Sequence, residues 1–199
     1  MLNSLLAVKT STILIIVAVV LVLIVIIWWF KTRNGFVRLR NKVEEAWATI
    51  DVYLKKRYDL IPNLVETVKG YAAHESETLR SVIEARSLGM SAGSRDEEME
   101  ADAAMSSSLH TFFHAVSESY PELKADAHFM DLQNQLKSIE GELEAARRYY
   151  NGTVKQFNTK LELFPDSIVG SRMGPDYVRK SYFALSSPAE AAPVAVSFS

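Results

Sequence analysis

The sequence predicts an all-α protein in which an N-terminal transmembrane helix is followed by an antiparallel, up-and-down four-helix bundle with long helices. Residues 10–30 form a stretch without a single charge. After that stretch, apolar residues recur at every third or fourth position, which is the spacing of one helix face. The breaks between helical stretches are short, so successive helices are expected to lie side by side and antiparallel.

The uncharged stretch 10–30 is long enough to cross a bilayer, because a helix of that length spans about 31 Å. Trp28 and Trp29 stand at its end, where aromatic side chains favour the membrane interface. A cleaved signal peptide is the alternative, but its apolar region is typically about 7–15 residues and ends at small residues. Here the run ends in Trp-Trp-Phe-Lys, which favours a retained anchor.

Basic residues follow the anchor and predict its orientation. Only Lys9 precedes the stretch, whereas five cations follow it closely. Because the more basic side stays cytoplasmic, the N-terminal segment 1–9 is expected outside and the domain inside; a domain outside the cytoplasm is the alternative. Four of these cations form a candidate lipid-contact cluster, since each contributes roughly 1 kcal/mol near anionic lipid; alternatively, they only set the orientation. The cluster is Lys31, Arg33, Arg38 and Arg40.

Segment 31–165 is predicted as the helical bundle. The first helix covers about 34–58, and the second begins near Asp59, which can cap it, and ends by 88. The third runs from Arg95 to Pro121, and the fourth covers about 123–164 with a heptad-like apolar seam. The Asn151-Gly152 pair predicts a kink or bulge in that seam. Four residues are interpreted as pinning the turn between the first two helices: Asp51, Arg57, Asp59 and Pro62.

The C-terminal part is predicted as an extension over 166–185, with a short helix over 176–185, and a tail over 186–199 that is disordered on its own. In the tail, alternate positions are apolar up to one residue from the end, a pattern that can add as a strand to the edge of a partner's sheet. Packing back on its own bundle is the alternative. The candidate partner-binding residues are Pro193, Val194, Val196 and Phe198.

Several strings and single residues of the sequence carry a family resemblance: Ile50-Asp51-Val52, Arg57-Tyr58-Asp59-Leu60-Ile61-Pro62-Asn63-Leu64-Val65, Tyr120-Pro121-Glu122-Leu123, Glu140, Ala146-Arg147, Tyr150-Asn151, Asn158 and Phe164-Pro165. With these residues, the sequence resembles the LemA family over about residues 34–198. The resemblance implies a bacterial membrane-anchored helical bundle without an established enzymatic activity. Some similar proteins carry lipid-anchored N-termini, which would place the domain outside the cytoplasm.

Composition argues against several function classes. The net charge of −2 provides no basic field for nucleic acid, and the absence of cysteine excludes thiolate metal sites and cysteine nucleophiles. No complete catalytic constellation and no cofactor motif stand out. His110 and His114 share a helix face with Glu118, which leaves a metal-dependent hydrolase as the weakest alternative, because position 111 is Thr and lacks the zincin glutamate.

The sequence therefore predicts a non-enzymatic, membrane-anchored adaptor of the bacterial plasma membrane. Its expected partners are the lipid bilayer and an unidentified protein, bound through the helical bundle, the tail or both. A scaffold that self-associates at the membrane, and is therefore a homo-oligomer, is the alternative.

Overall fold

The computed structural model describes residues 2–69 and 77–183, with side chains described from residue 12 onward. These residues form six helices and no strand, which confirms the all-α prediction for the part of the chain they cover. The helices are α1 (Leu2–Lys69), α2 (Glu77–Ser91), α3 (Arg95–Ser119), α4 (Pro121–Lys124), α5 (Ala127–Glu162) and α6 (Asp166–Gly170).

Helix α1 differs most from the prediction. It continues through Asp59 and carries Pro62 in its interior, so the predicted turn and the capping role of Asp59 are wrong. A proline lacks an N–H, which leaves the carbonyl four residues earlier without its helical donor. That carbonyl belongs to Tyr58, and the Arg86 Nε–H of α2 donates to it at 2.9 Å. A side chain from a neighbouring helix thus supplies the missing hydrogen bond and lets α1 pass the proline.

Other boundaries agree better with the sequence. α3 begins at Arg95 as predicted, with Ser94 as its N-cap accepting from the Glu97 N–H at 3.3 Å. α5 continues through Asn151 and Gly152 without interruption. The helix predicted over 176–185 is wrong for residues 176–183, which are not helical; the short helix of this region is α6. Residues 184–199, with the whole predicted tail, lie outside the described part.

The first of two compact units comprises Met1–Val43 and Thr153–Lys180. Its side chains from 12 to 27 are exposed, and the N-terminal helix is long and apolar enough to cross a membrane. Its aromatic core is built by Phe36, which meets Phe157 and Tyr177 edge to face at 6.4 and 6.5 Å between ring centroids. α6 packs closely on this core, since a Cβ built on Gly170 would lie 3.1 Å from the Phe36 ring.

The second unit comprises Glu44–Gly152 together with the described residues after Lys180. Its fully buried apolar side chains come from α1, α2, α3, α4 and α5, and each stabilises the fold by roughly 1.5–3 kcal/mol when removed from water. They include Ile50, Ile61, Leu64, Val82, Met105, Phe112, Leu123 and Leu143. α1 and α2 approach so closely at Gly89 that a built Cβ would lie 2.2 Å from the Tyr58 hydroxyl oxygen.

Candidate functional site

A ring of four charged side chains lies inside the second unit. Arg57 of α1 donates through Nη2 to Asp102 of α3, and through Nη1 to Glu140 of α5 at 2.7 Å. Arg147 of α5 binds the same two carboxylates, with Nη1 lying 3.2 Å from Glu140. Two cations and two anions thus alternate around the ring, and their formal charges cancel.

Burial makes this ring unusual, because charged side chains are rarely removed from water unless they are paired. Arg57 is 0% exposed, and the side chains of Asp102 and Arg147 are almost as fully buried. Burial raises the pKa of the Asp102 carboxyl above its ordinary value, and the two guanidinium groups offset only part of this rise. Glu140 is the most exposed of the four. The ring therefore joins three helices internally and reaches the surface at one carboxylate.

A groove of about 480 Å³ opens between α3 and α5 beside the ring. Glu140 lines it together with Ser106, whose hydroxyl accepts from Arg57 Nη1 at 3.0 Å. The remaining lining combines apolar and polar side chains: Leu109, His110, Phe113, Gln133, Asn134, Leu136 and Lys137.

The chain after Lys180 is fastened to the second unit at Phe183. The Asn151 side chain accepts from the Phe183 N–H at 2.8 Å and donates to its carbonyl at 2.9 Å. The Phe183 ring stacks on Trp47 at 6.0 Å, and the Arg147 guanidinium lies 5.2 Å from its centre. Phe183 is the last described residue, and its ring lies beside Arg147 of the charged ring.

In the first unit, the predicted lipid-contact cluster separates into three environments. Lys31 and Arg38 line one groove of about 700 Å³ with Lys160. Arg33 lines another of about 270 Å³. Arg40 is engaged within the unit: its guanidinium lies 3.6 Å from the carboxylate of Asp176 and 5.5 Å from the ring of Tyr177.

The residues expected to pin a turn have other positions. Arg57 belongs to the buried ring, Pro62 lies inside α1, and Asp59 is exposed. Asp51 lies near Glu98 of α3. Burial raises the pKa of Glu98, and the charge and hydrogen bond of Asp51 raise it further.

His110 and His114 lie in different surroundings. His110 lines the groove between α3 and α5, whereas the exposed His114 lies 3.4 Å from Glu118. Among the described residues, no group of three or more metal-ligating side chains comes together. Pro193, Val194, Val196 and Phe198 lie outside the described part.

Sequence reasoning did not predict the buried ring or the anchoring of Phe183. Asp102 stands among alanines at 101, 103 and 104, and Arg147 follows Ala146 directly in the apolar seam. Charged residues embedded in apolar or small-residue faces of two helices were the available signal, since such residues need a charged partner.

Comparison with known proteins identifies the family. The LemA family model matches residues 46–198. It thus begins after the apolar stretch and includes the tail residues named above. Protein LemA of Metamycoplasma hominis is 24% identical over 144 residues, which cover 71% of this chain and 64% of that relative's length. Because the family model covers most of the sequence, the chain belongs to the LemA family.

Proposed function

We propose that the protein is a non-enzymatic, membrane-anchored adaptor that holds a protein partner beside the lipid bilayer. The apolar stretch 10–30 is the anchor, the second unit is the rigid body, and the tail is the partner-binding segment. The observation that carries the proposal is the fastening of Phe183, which gives the tail a defined origin on a packed body. A tail without such an attachment would search a larger volume at a greater cost in ordering.

The rigid body is proposed to be an up-and-down bundle of four helical segments. Tyr53 of α1 binds Glu142 of α5, and Arg57, further along α1, binds Glu140. Residue numbers on α5 therefore decrease as those on α1 increase. Asp102 of α3 binds Arg147 of α5. Phe113, further along α3, lies against Phe129, with 5.8 Å between the ring centroids. Residue numbers on α3 and α5 therefore also run in opposite order. Opposed order is the pattern of antiparallel neighbours.

A non-enzymatic role is supported by how the buried charges are used. Each carboxylate of the ring accepts from two arginines. General acid–base catalysis needs a group positioned to exchange a proton with a substrate. Carboxylates held between guanidinium groups instead fix the register of three helices, which is the better-attested use of buried ion pairs.

The tail is proposed to bind by strand addition, in which alternate side chains enter pockets of the partner. Position-specific photocrosslinking in the full-length, membrane-embedded protein tests this directly. A photoreactive residue at Val196 or Phe198 should crosslink to one membrane protein, and excess peptide of sequence 193–199 should abolish the product. The matched controls at Ala195 and Ser197 should crosslink several-fold less. Equal crosslinking at all four positions, or products containing only copies of this chain, would refute the adaptor role; the latter would support the self-associating scaffold.

The orientation is proposed to be N-terminus outside and the domain that follows the apolar stretch on the cytoplasmic side of a bacterial plasma membrane. The support is the excess of cations after the apolar stretch. The short segment before that stretch offers only Lys9 as a competing side-chain charge.

A further inference from the structure

A groove in the first unit is lined by the part of α1 around the end of the membrane anchor and by Lys160 and Asp166, more than a hundred positions later. It is lined by Trp28, Lys31, Thr32, Asn34, Gly35, Arg38, Lys160 and Asp166. Lys160 belongs to α5 and Asp166 to α6, so folding brings them to the stretch of α1 that follows the anchor. From this geometry we propose that the groove binds the phosphodiester head group of an anionic phospholipid. This inference rests on the membrane anchoring proposed above.

The groove carries an excess of positive charge. Its cations are Lys31, Arg38 and Lys160, and Asp166 is its one anion, which gives a formal charge of +2. Asp166 accepts from the Lys160 ammonium at 2.7 Å and from the Thr32 hydroxyl at 3.2 Å. Within the described residues, Lys31 and Arg38 have neither a hydrogen bond nor an ion pair and are exposed. Two cations are therefore available to an incoming anion.

Lys160 is held in the groove by its surroundings. Its ammonium lies 5.2 Å from the centre of the Phe36 ring, and its side chain is only 23% exposed. A Cβ built on Gly35 would lie 3.3 Å from both Cε and Nζ of Lys160. The absence of a side chain at position 35 thus lets Lys160 lie across α1, which makes the groove a preformed site.

The end of the groove near Trp28 lies at the depth of the head-group layer. Trp28, Lys31, Gly35 and Arg38 are spaced three or four residues apart and share one face of α1. Lys31 stands about 4.5 Å beyond Trp28 along the helix axis and Arg38 about 15 Å beyond it. The head-group layer is roughly 5–8 Å deep on each side of the bilayer. Helical side chains lean toward the N-terminus, and long cationic ones extend toward the interface, so Arg38 can reach back toward that layer.

A phospholipid fits both ends of this site. Its phosphodiester would meet Lys31, Arg38 and Lys160, while its acyl chains would lie along the exposed apolar side chains before Trp28. A free phosphate would use only the first of these contacts. Arg33 faces the other groove, with Trp29 and Arg172, so the inference excludes it from the site and makes it the matched comparison.

Quenching of Trp28 by brominated lipid tests the inference. Trp29→Phe and Trp47→Phe leave Trp28 as the only tryptophan of the full chain. The protein in neutral detergent is titrated with brominated phosphatidylglycerol or brominated phosphatidylcholine. We expect half-maximal quenching at roughly tenfold lower phosphatidylglycerol, because each cation near an anionic lipid contributes favourably. Lys31→Gln with Arg38→Gln should abolish the preference, Lys160→Gln should reduce it, and Arg33→Gln should leave it intact.

Each other outcome would overturn the proposal. Equal quenching by both lipids would remove the head-group preference, and equal losses in Arg33→Gln and Arg38→Gln would indicate diffuse attraction without a site. Displacement of phosphatidylglycerol by inorganic phosphate at equal concentration would indicate a phosphate site that ignores the lipid. Circular dichroism of each variant checks that its helices persist. Carbonate extraction tests anchoring separately, so a failure of anchoring is distinguishable from a failure of lipid selectivity.

Discussion

The hydrogen bond from Arg86 to the Tyr58 carbonyl predicts that Arg86 of α2 and Pro62 of α1 are strongly coupled in their effects on the free energy of unfolding. Arg86→Met keeps much of the side-chain volume but removes the Nε donor, which lies 2.9 Å from that carbonyl. Pro62 cannot supply a substitute, because it has no N–H. A buried carbonyl left without a donor costs about 1–3 kcal/mol. We therefore expect Arg86→Met to lower the free energy of unfolding by about that amount.

In the Pro62→Ala background, the same substitution should cost far less. An alanine at position 62 restores the backbone N–H, which can donate to the Tyr58 carbonyl as in an ordinary helix. The double-mutant cycle should therefore give a coupling free energy of about 1–3 kcal/mol. The assay is urea unfolding of the purified full chain in detergent, followed by circular dichroism. A coupling below about 0.5 kcal/mol, the usual error of additivity, would refute the account of how α1 passes Pro62.

Further predictions concern the buried ring, the helix contacts and pH. Asp102→Asn should lower the free energy of unfolding by about 3–5 kcal/mol in the same urea assay, because it leaves buried cations uncompensated. Glu144→Gln, in an exposed ion pair, should lower it by less than about 1 kcal/mol. Equal losses in the two variants would contradict a stabilising role of the buried ring. Gly89→Ala should lower the melting temperature because its Cβ collides with a tyrosine hydroxyl, while Gly141→Ala, in open space, should raise stability by up to about 1 kcal/mol. The raised pKa of Glu98 means that this carboxyl binds a proton more tightly in the folded protein than in the unfolded chain. Glu98 therefore favours folding at low pH, and this contribution to stability is lost as pH rises through the folded pKa. Glu98→Gln should therefore raise the melting temperature at pH 7 and leave it unchanged below pH 4; a loss of stability at pH 7 would contradict this sign.

Elements with a local signal were predictable from the sequence. The apolar stretch, the start of α3 at Arg95 and the seam of α5 each depend on residues within one helix. The turn at Asp59 was predicted for the same local reason, since an Asp cap with a proline in the following first turn is typical of a helix start. It is wrong because Arg86, from a different helix, provides the hydrogen bond that Pro62 cannot.

The buried ring and the groove that Lys160 lines depend on contacts between distant residues. Arg57 and Asp102 are 45 positions apart, and Thr32 and Asp166 are 134 apart. Nothing in the local pattern around Lys160 indicates that it crosses α1 at Gly35. Pairing of this kind is set by the packing of whole helices, so spacing rules identify the face on which a residue lies but not the partner it meets.

Single-cysteine labelling tests the membrane-anchored arrangement most directly, because the native chain contains no cysteine and needs no background substitution. Ser4→Cys and Ser171→Cys place one thiol on each side of the apolar stretch. With a membrane-impermeant maleimide on intact spheroplasts, we predict that only the thiol at position 4 is labelled, and that the thiol at position 171 reacts after permeabilisation. Labelling of both thiols in intact spheroplasts, or release of the protein by carbonate, would contradict a spanning anchor with the following domain inside.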